Sequence, residues 1–220
     1  MNATITSTAH YVPEKVLTNS DLEKLVDTSD EWIKSRVGIN QRHVVSDGEA
    51  SSDMSTKVAH SLLEKRGISA ANIDVIIIGT VTPDHPTPST AAIVQNNINA
   101  ENAWAFDLSA ACSGFLYALE TGAKFIESGQ YKTIMVIGVD TMTSILDFED
   151  RETCIIFGDG AGGVILEASK SNTGILGSVL KTDGSGAESL NVLAGGSKYP
   201  ASPTTIKNRQ HYIKQDGKKV

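Results

Sequence analysis

Cysteine, long apolar runs and positive charge are all scarce in this sequence, and each scarcity narrows what the chain can do. Cys112 and Cys154 are the two cysteines in 220 residues. They are too few for a disulfide framework, and their spacing is not the Cys-x-x-Cys of a redox or zinc site. Nothing marks the chain as secreted, so neither a disulfide nor a metal site is expected. The longest apolar stretch, Val75 to Val81, is broken at Gly79 and falls far short of a membrane span. The opening residues, mostly Thr, Ser and Ala, lack the basic start and apolar core of a secretory leader. The expectation is a cytoplasmic protein with no membrane partner. With a formal net charge of −7, nucleic acid is not expected as a main partner either. The charge is uneven: Lys207 to Val220 holds five Lys or Arg against one Asp. Such a tail is a solvated surface or a seat for an acidic partner.

What remains is ordinary globular composition, 40% hydrophobic and 20% charged, in a chain long enough for one large domain or two small ones. Ile5 to Tyr11 reads as a first strand. Ser20 with Glu23, and Thr28 with Glu31, have the spacing of capping boxes that open short helices. In the second of these, Trp32 and Arg36 lie one above the other at i, i+4. Two readings of that pair stand side by side: a face that stacks a purine and holds its phosphates, or a plain cation–π contact. Gly38 ends the helix, and Ile39 to Val45 follows as an edge or connecting strand. Ser51 or Ser52 caps a longer helix with Met54, Val58, Leu62 and Leu63 inward and Gly67 beyond its end. Asp74 to Thr80 has no polar alternation, which predicts a strand buried on both faces of a parallel sheet. Three prolines stiffen Thr82 to Ser89, and Ser89 starts another helix.

The most informative stretch is Trp104 to Asp140. Trp104 to Leu108 reads as a buried strand, and the spacing of Phe115, Leu116, Leu119, Ala123 and Ile126 predicts a helix packing on that face. Thr133 to Val139 reads as a second buried strand. Cys112 therefore falls on a sharp turn between strand and helix. Unpaired N–H groups and the helix dipole favour a thiolate there, with small neighbours leaving room for a substrate. The competing reading, a small core-filling cysteine, also stands at this point; Cys154, inside an apolar run, is read as core filler. Further on, the glycines from Gly158 to Gly163 predict a tight turn with close backbone packing, without the spacing of a phosphate-binding loop. Gly174 to Lys181 reads as a strand and Asp183 to Ser202 as a long loop. Alternating strands and helices argue an α/β domain with a mainly parallel sheet. In such folds ligands gather at the C-terminal strand ends, where Pro83-Asp84-His85 and Cys112 fall.

Several segments in order then resemble one family. Thr28-Ser29-Asp30-Glu31-Trp32, Arg36 through Gly38-Ile39, Pro88-Ser89, Ala110-Ala111-Cys112-Ser113-Gly114-Phe115 and Phe157-Gly158-Asp159-Gly160-Ala161-Gly162 look like β-ketoacyl-acyl-carrier-protein synthase III, a condensing enzyme of the thiolase superfamily. The resemblance implies an α/β thiolase-like layered fold with its N-terminal half complete over 1–172 and its C-terminal half only begun over 173–220. It implies an acyltransferase that takes a short acyl group from acyl-CoA onto Cys112. The acyl-enzyme then condenses with malonyl-acyl-carrier-protein, using coenzyme A thioester as substrate and no resident cofactor. Thr28, Trp32, Arg36 and Arg151 match coenzyme A-binding positions, and Phe157 matches an aromatic residue beside the nucleophile. Thr87 stands where a Phe is commoner at the end of the acyl pocket, which leaves room for bulkier primers.

The resemblance also implies a homodimer and places the family's catalytic His and Asn beyond this chain. None of His10, His43, His60, His85 and His211 sits in a matching context, and His85 is read as a loop histidine. It further favours a strand at Tyr212 to Lys214 followed by a helix from Lys218, over a hairpin at Asp216-Gly217. A second reading makes the chain itself a non-catalytic fragment or subunit that binds acyl-CoA. Related condensing enzymes of secondary metabolism share the same turn.

Overall fold

In the computed structural model, which describes residues 2–171 and 173–219, the apolar run at Val75 becomes an inner strand of a five-stranded sheet. In chain order the elements are β1 (Asn2–Tyr11), β2 (Lys15–Thr18), α1 (Asn19–Leu22), α2 (Asp30–Val37), β3 (Gln41–Val44), α3 (Ser51–Arg66), β4 (Val75–Gly79) and α4 (Thr90–Asn97). There follow β5 (Trp104–Leu108), α5 (Gly114–Glu127), β6 (Thr133–Thr141), α6 (Arg151–Cys154), β7 (Asp159–Ser169), β8 (Leu190–Val192), α7 (Pro203–Lys207) and β9 (Ile213–Gln215). They group into two compact units. One comprises Met1–Pro13, Val45–Asp140 and Gly160–Leu180; the other comprises Glu14–Val44, Thr141–Asp159 and Lys181–Val220. Among the described residues no helix is long and apolar enough to cross a membrane.

The first unit holds the main sheet, in the order β1-β7-β6-β4-β5. β4 runs parallel to β5 and β6, and β1 pairs antiparallel with β7. Every residue of β4 is buried because both faces are covered. Ile76 and Ile78 join a cluster with Met54, Val58 and Leu62 of α3 and with Ala91 and Val94 of α4. Val75 and Ile77 join the opposite cluster with Ala118, Ala123 and Ile126 of α5. Burying each such aliphatic side chain contributes about 1.5–3 kcal/mol, so a strand sandwiched in this way needs no polar alternation.

Several expectations change in three dimensions. Trp104 to Leu108 does form a strand, but it is the edge of the sheet, and Trp104 is 42% exposed. Its indole stacks on Phe106 at 5.4 Å and leans on Phe125 and Tyr131. An apolar run reads the same at an edge as in the middle. On α5 the face turned to the sheet is Gly114, Ala118, Gly122, Ala123 and Ile126. Small residues bring that helix close, which leaves Leu116 exposed at 56% instead of packed inward. The glycines after Phe157 do not make a tight turn: Gly160, Gly162 and Gly163 lie within β7. The close packing is real, since a Cβ on Gly163 would sit 2.9 Å from both Ile137 Cγ1 and the Val136 oxygen. Gly174 to Lys181 is not a strand. Ile175 makes one ladder-like bond, N–H to the Ala3 oxygen at 2.9 Å, and Leu176 and Val179 are exposed. Ser51 and Ser52 do not precede α3 but open it, and Ala50 is the N-cap. Both are buried. The Ser51 hydroxyl donates to the Thr82 carbonyl at 2.7 Å, and the N–H and hydroxyl of Ser52 donate to the Asp84 carboxylate at 2.9 and 2.6 Å.

In the second unit β2 and β3 pair antiparallel. Leu22, Ile33, Cys154 and Ile155 form a small core beside them, so Cys154 is core filler as expected. The helix caps are shifted from the sequence reading. Thr18 with Asp21, not Ser20 with Glu23, makes the capping box of α1. Ser29, not Thr28, caps α2 by accepting the Trp32 N–H at 3.1 Å. Glu23 instead accepts the Asp30 N–H at 2.7 Å. The long loop expected from Asp183 to Ser202 contains β8, which pairs antiparallel with β9. The strand at Ile213 is thus present, its partner lies upstream rather than across Asp216-Gly217, and residues 217–219 form a turn.

The nearly buried Asp147 ties this C-terminal segment down. Its carboxylate accepts from Arg209 Nε at 2.8 Å and from Arg209 Nη2, with Lys214 Nζ 4.0 Å away. The Arg209 hydrogen bonds hold the Asp147 carboxyl below the usual carboxylate range. A carboxyl depressed in the folded state stabilises it fully at neutral pH and loses that contribution as pH falls below about 4 and through the depressed value. Amide protection of residues 203–215, measured against the intrinsic exchange rate at each pH, should therefore fall in that acid range, and Asp147→Asn should already lower it at neutral pH.

Candidate active site

The turn that carries Cys112 is seated on two neighbouring strands at a point where both have glycine. Gly79 of β4 and Gly138 of β6 are register partners. A Cβ on Gly79 would lie 2.9 Å from the Gly114 carbonyl carbon and 3.1 Å from Phe115 N; one on Gly138 would lie 3.2 Å from Phe115 Cβ. The first turn of α5 therefore rests directly on backbone. To reach that seat from β5, the chain passes through Ala111 at φ +47°, in the left-handed region. For a residue with a Cβ that conformation costs on the order of 1 kcal/mol. Residues Ala111–Ser113 then form a single 3-10 turn that leads into Gly114, and the Cys112 thiol at its centre is exposed.

The loop after β4 lies in the same unit and carries Thr87, which is exposed, as is His85. Carboxylates at successive points pin this loop. Asp140, at the end of β6, accepts from the Thr80 hydroxyl, the Val81 and Thr82 N–H groups and the Thr82 hydroxyl at 2.9–3.2 Å. Asp107 of β5 accepts the Thr90 and Ala91 N–H groups at 2.7 and 2.8 Å, at the start of α4. Burial pushes the Asp107 carboxyl up while those N–H groups pull it down. Asp84 receives Ser52 from the side of α3. None of the three stood out in the sequence as a loop anchor; for Asp107 and Asp140 the available signal was an acidic residue near the end of each of two consecutive strands.

In the second unit the expected ligand-binding residues converge on one indole. The half-buried Trp32 has the Arg36 guanidinium carbon 5.9 Å and the Arg151 guanidinium carbon 5.2 Å from its ring centroid. Arg151 also donates to the Asp27 carbonyl at 2.8 Å. Beside them in sequence, the Thr28 hydroxyl is buried without a hydrogen-bond partner. Phe157 is half-buried in the segment between α6 and β7. Sequence spacing paired Trp32 with Arg36, whereas the approach of Arg151 is a tertiary contact. The surface is cationic, aromatic and open to solvent, suited to an anionic ligand with a flat ring.

A family model described as 3-oxoacyl-[acyl-carrier-protein (ACP)] synthase III matches residues 106–184. A β-ketoacyl-[acyl-carrier-protein] synthase III from Chlorobaculum tepidum is 57% identical over 223 residues, covering 100% of this chain and 68% of that protein. Among solved structures, 3-oxoacyl-[acyl-carrier-protein] synthase III from Aquifex aeolicus matches with a TM-score of 0.88 at 40% identity, over 99% of this chain and 65% of that one. The priming β-ketosynthase of a polyketide pathway matches with a TM-score of 0.88 at 29% identity, over 99% of this chain and 64% of that one. The chain spans about two thirds of the length of these relatives.

The two thiols differ sharply in access. Cys154 is buried, and burial pushes its thiol up. Under native conditions iodoacetamide should modify Cys112 within minutes and leave Cys154 untouched until denaturant is added, as read by peptide mass mapping.

Proposed function

Since the chain belongs to the β-ketoacyl-acyl-carrier-protein synthase III family, thiolase-like condensing acyltransferases that start fatty-acid synthesis, we propose that Cys112 is its nucleophile and that Thr28, Trp32, Arg36 and Arg151 receive the coenzyme A of the acyl donor. The observation that supports this reading most directly is the exposed thiol on a strained turn between β5 and α5. The sulfur, as thiolate, attacks the thioester carbonyl of a short acyl-CoA. The carbonyl electron pair moves onto oxygen, where the backbone N–H of Cys112 donates. Collapse of that intermediate breaks the bond to the coenzyme sulfur, which leaves and takes up a proton, and the acyl group stays on Cys112 as a thioester. Malonyl on acyl carrier protein then loses carbon dioxide, and the resulting carbanion attacks the acyl-enzyme. This returns the Cys112 thiolate and leaves a 3-oxoacyl chain on the carrier. The second step draws on the family's His and Asn, which the resemblance places outside these 220 residues.

A purine stacking on Trp32 takes the place of one of the guanidinium groups now over the ring, and that group turns to the phosphates. The unpartnered hydroxyl of Thr28 supplies a further polar contact. Phe157 fills the family's aromatic position, and Thr87 borders the far end of the acyl pocket. The protein works in the cytoplasm as a homodimer without a resident cofactor, its first half spanning 1–172 and its second beginning at 173.

Incubation with mass-tagged acetyl-CoA should label the peptide that contains Cys112, and Cys112→Ala should abolish the label; a folded wild-type chain that takes none would end this reading. Trp32→Ala should weaken coenzyme A binding by about 1–2 kcal/mol, a five- to thirty-fold rise in Kd by titration calorimetry. Competition between acyl-CoA primers should show that primers longer or more branched than acetyl are accepted and that Thr87→Phe narrows the choice toward acetyl. A strict acetyl preference in the wild type would remove the role given to Thr87.

A further inference from the structure

Arg42 is a charged residue in a place where charge is costly. It lies on β3, is 4% exposed, and burial lowers its affinity for its proton. Among the described residues no carboxylate meets it. Its Nη1 donates to Asn19 Oδ1 at 2.7 Å and its Nη2 to the Ile155 carbonyl at 2.5 Å, while Nε is buried without a partner. An apolar side chain of similar volume would fill the space without desolvating a cation. What a guanidinium adds is a pair of donors fixed in one plane, reaching two elements together.

Those elements are the ones that carry the coenzyme-binding side chains. Asn19, itself 1% exposed, passes the contact on: its Nδ2 donates to Asp30 Oδ1 at 2.9 Å and to the Ile39 carbonyl at 2.8 Å. Asp30 is the first residue of α2, and Ile39 follows the Gly38 that ends it. Arg42 thus grips both ends of the helix that presents Trp32 and Arg36. Its other donor holds Ile155, the residue that closes α6, and Arg151 is the first residue of α6. The segment beyond lies hard against the same strand, because a Cβ on Gly158 would come within 2.8 Å of Arg42 Cβ.

We infer that Arg42 is a positioning residue for nucleotide recognition: it touches no substrate, but it fixes the spacing between the Trp32 indole and the Arg151 guanidinium. This rests on the coenzyme A reading given above. A positioning role and a merely structural one separate by ligand. Pantetheine and acetyl-pantetheine carry the thiol arm without the nucleotide, so they do not depend on the Trp32–Arg151 spacing.

The test compares wild type, Arg42→Met and Arg42→Lys. The Lys variant keeps the charge and stem but reaches one acceptor at a time, and it serves if the Met variant fails to fold. Titration calorimetry gives Kd for coenzyme A, and mass spectrometry gives rates of Cys112 acylation by acetyl-CoA and acetyl-pantetheine. The expected result is a rise of about tenfold in the coenzyme A Kd. The acetyl-CoA rate at low substrate should fall at least about fivefold more than the acetyl-pantetheine rate, with circular dichroism and melting showing a folded protein. Equal losses for the two thioesters, or a folded Lys variant that matches wild type toward coenzyme A, would overturn the role of Arg42. Wild type that binds coenzyme A but is not acylated by either thioester would sink Cys112 as nucleophile while leaving the binding comparison for Arg42 intact. Wild type that does not bind coenzyme A would sink the coenzyme reading and this inference with it.

Discussion

The first turn of α5 lies on bare backbone, and the geometry of the candidate nucleophile follows from that contact. Gly79 and Gly138, side by side on neighbouring strands, leave no room for a Cβ beneath Gly114 and Phe115. The helix can approach this closely only where the sheet is bare, and the chain reaches it from β5 only through the unfavourable conformation at Ala111. Strain at that residue is offset by the packing of Ala118, Ala123 and Ile126 against the sheet.

Around that turn the protein uses fixed charges as fasteners. Asp140 and Asp107 collect free N–H and hydroxyl groups from the two ends of the loop that follows β4, and Asp84 within it takes the N–H and hydroxyl of Ser52 at the start of α3. They thereby satisfy donors that a loop near a sheet end would otherwise leave unpaired. In the second unit the arrangement is reversed, with a buried cation, Arg42, collecting acceptors from separate elements. Both devices trade the desolvation of a charge for directional bonds, and directional bonds are what a binding surface built from short helices and loops needs.

Much of the fold was legible from pattern. The unbroken β-branched run at Val75 announced a strand covered on both faces, α3 and α4 appeared at their expected positions, and Gly38 and Gly67 closed their helices. These features arise from local propensity and from periodicity set by one element's own neighbours. The misreadings share a cause. Trp104 at the sheet edge, Leu116 turned outward and the glycines within β7 depend on which strand pairs with which, and no window of a single segment contains that information. The shifted caps at Thr18 and Ser29 reflect competition among neighbouring Ser, Thr and Asp residues, any of which satisfies the spacing.

The candidate site divides along the same line. The sequence by itself determined the family, the elbow around Cys112 and the i, i+4 pair of Trp32 with Arg36, because each is a run of residues whose order is its meaning. Only the tertiary structure decided that Arg151 reaches the Trp32 ring and that a lone buried guanidinium at Arg42 joins the elements that carry them. Those contacts close over long separations in the chain. Their partners are selected by packing and by the need of buried polar groups for a hydrogen bond, and neither leaves a periodic mark in the residues that supply them.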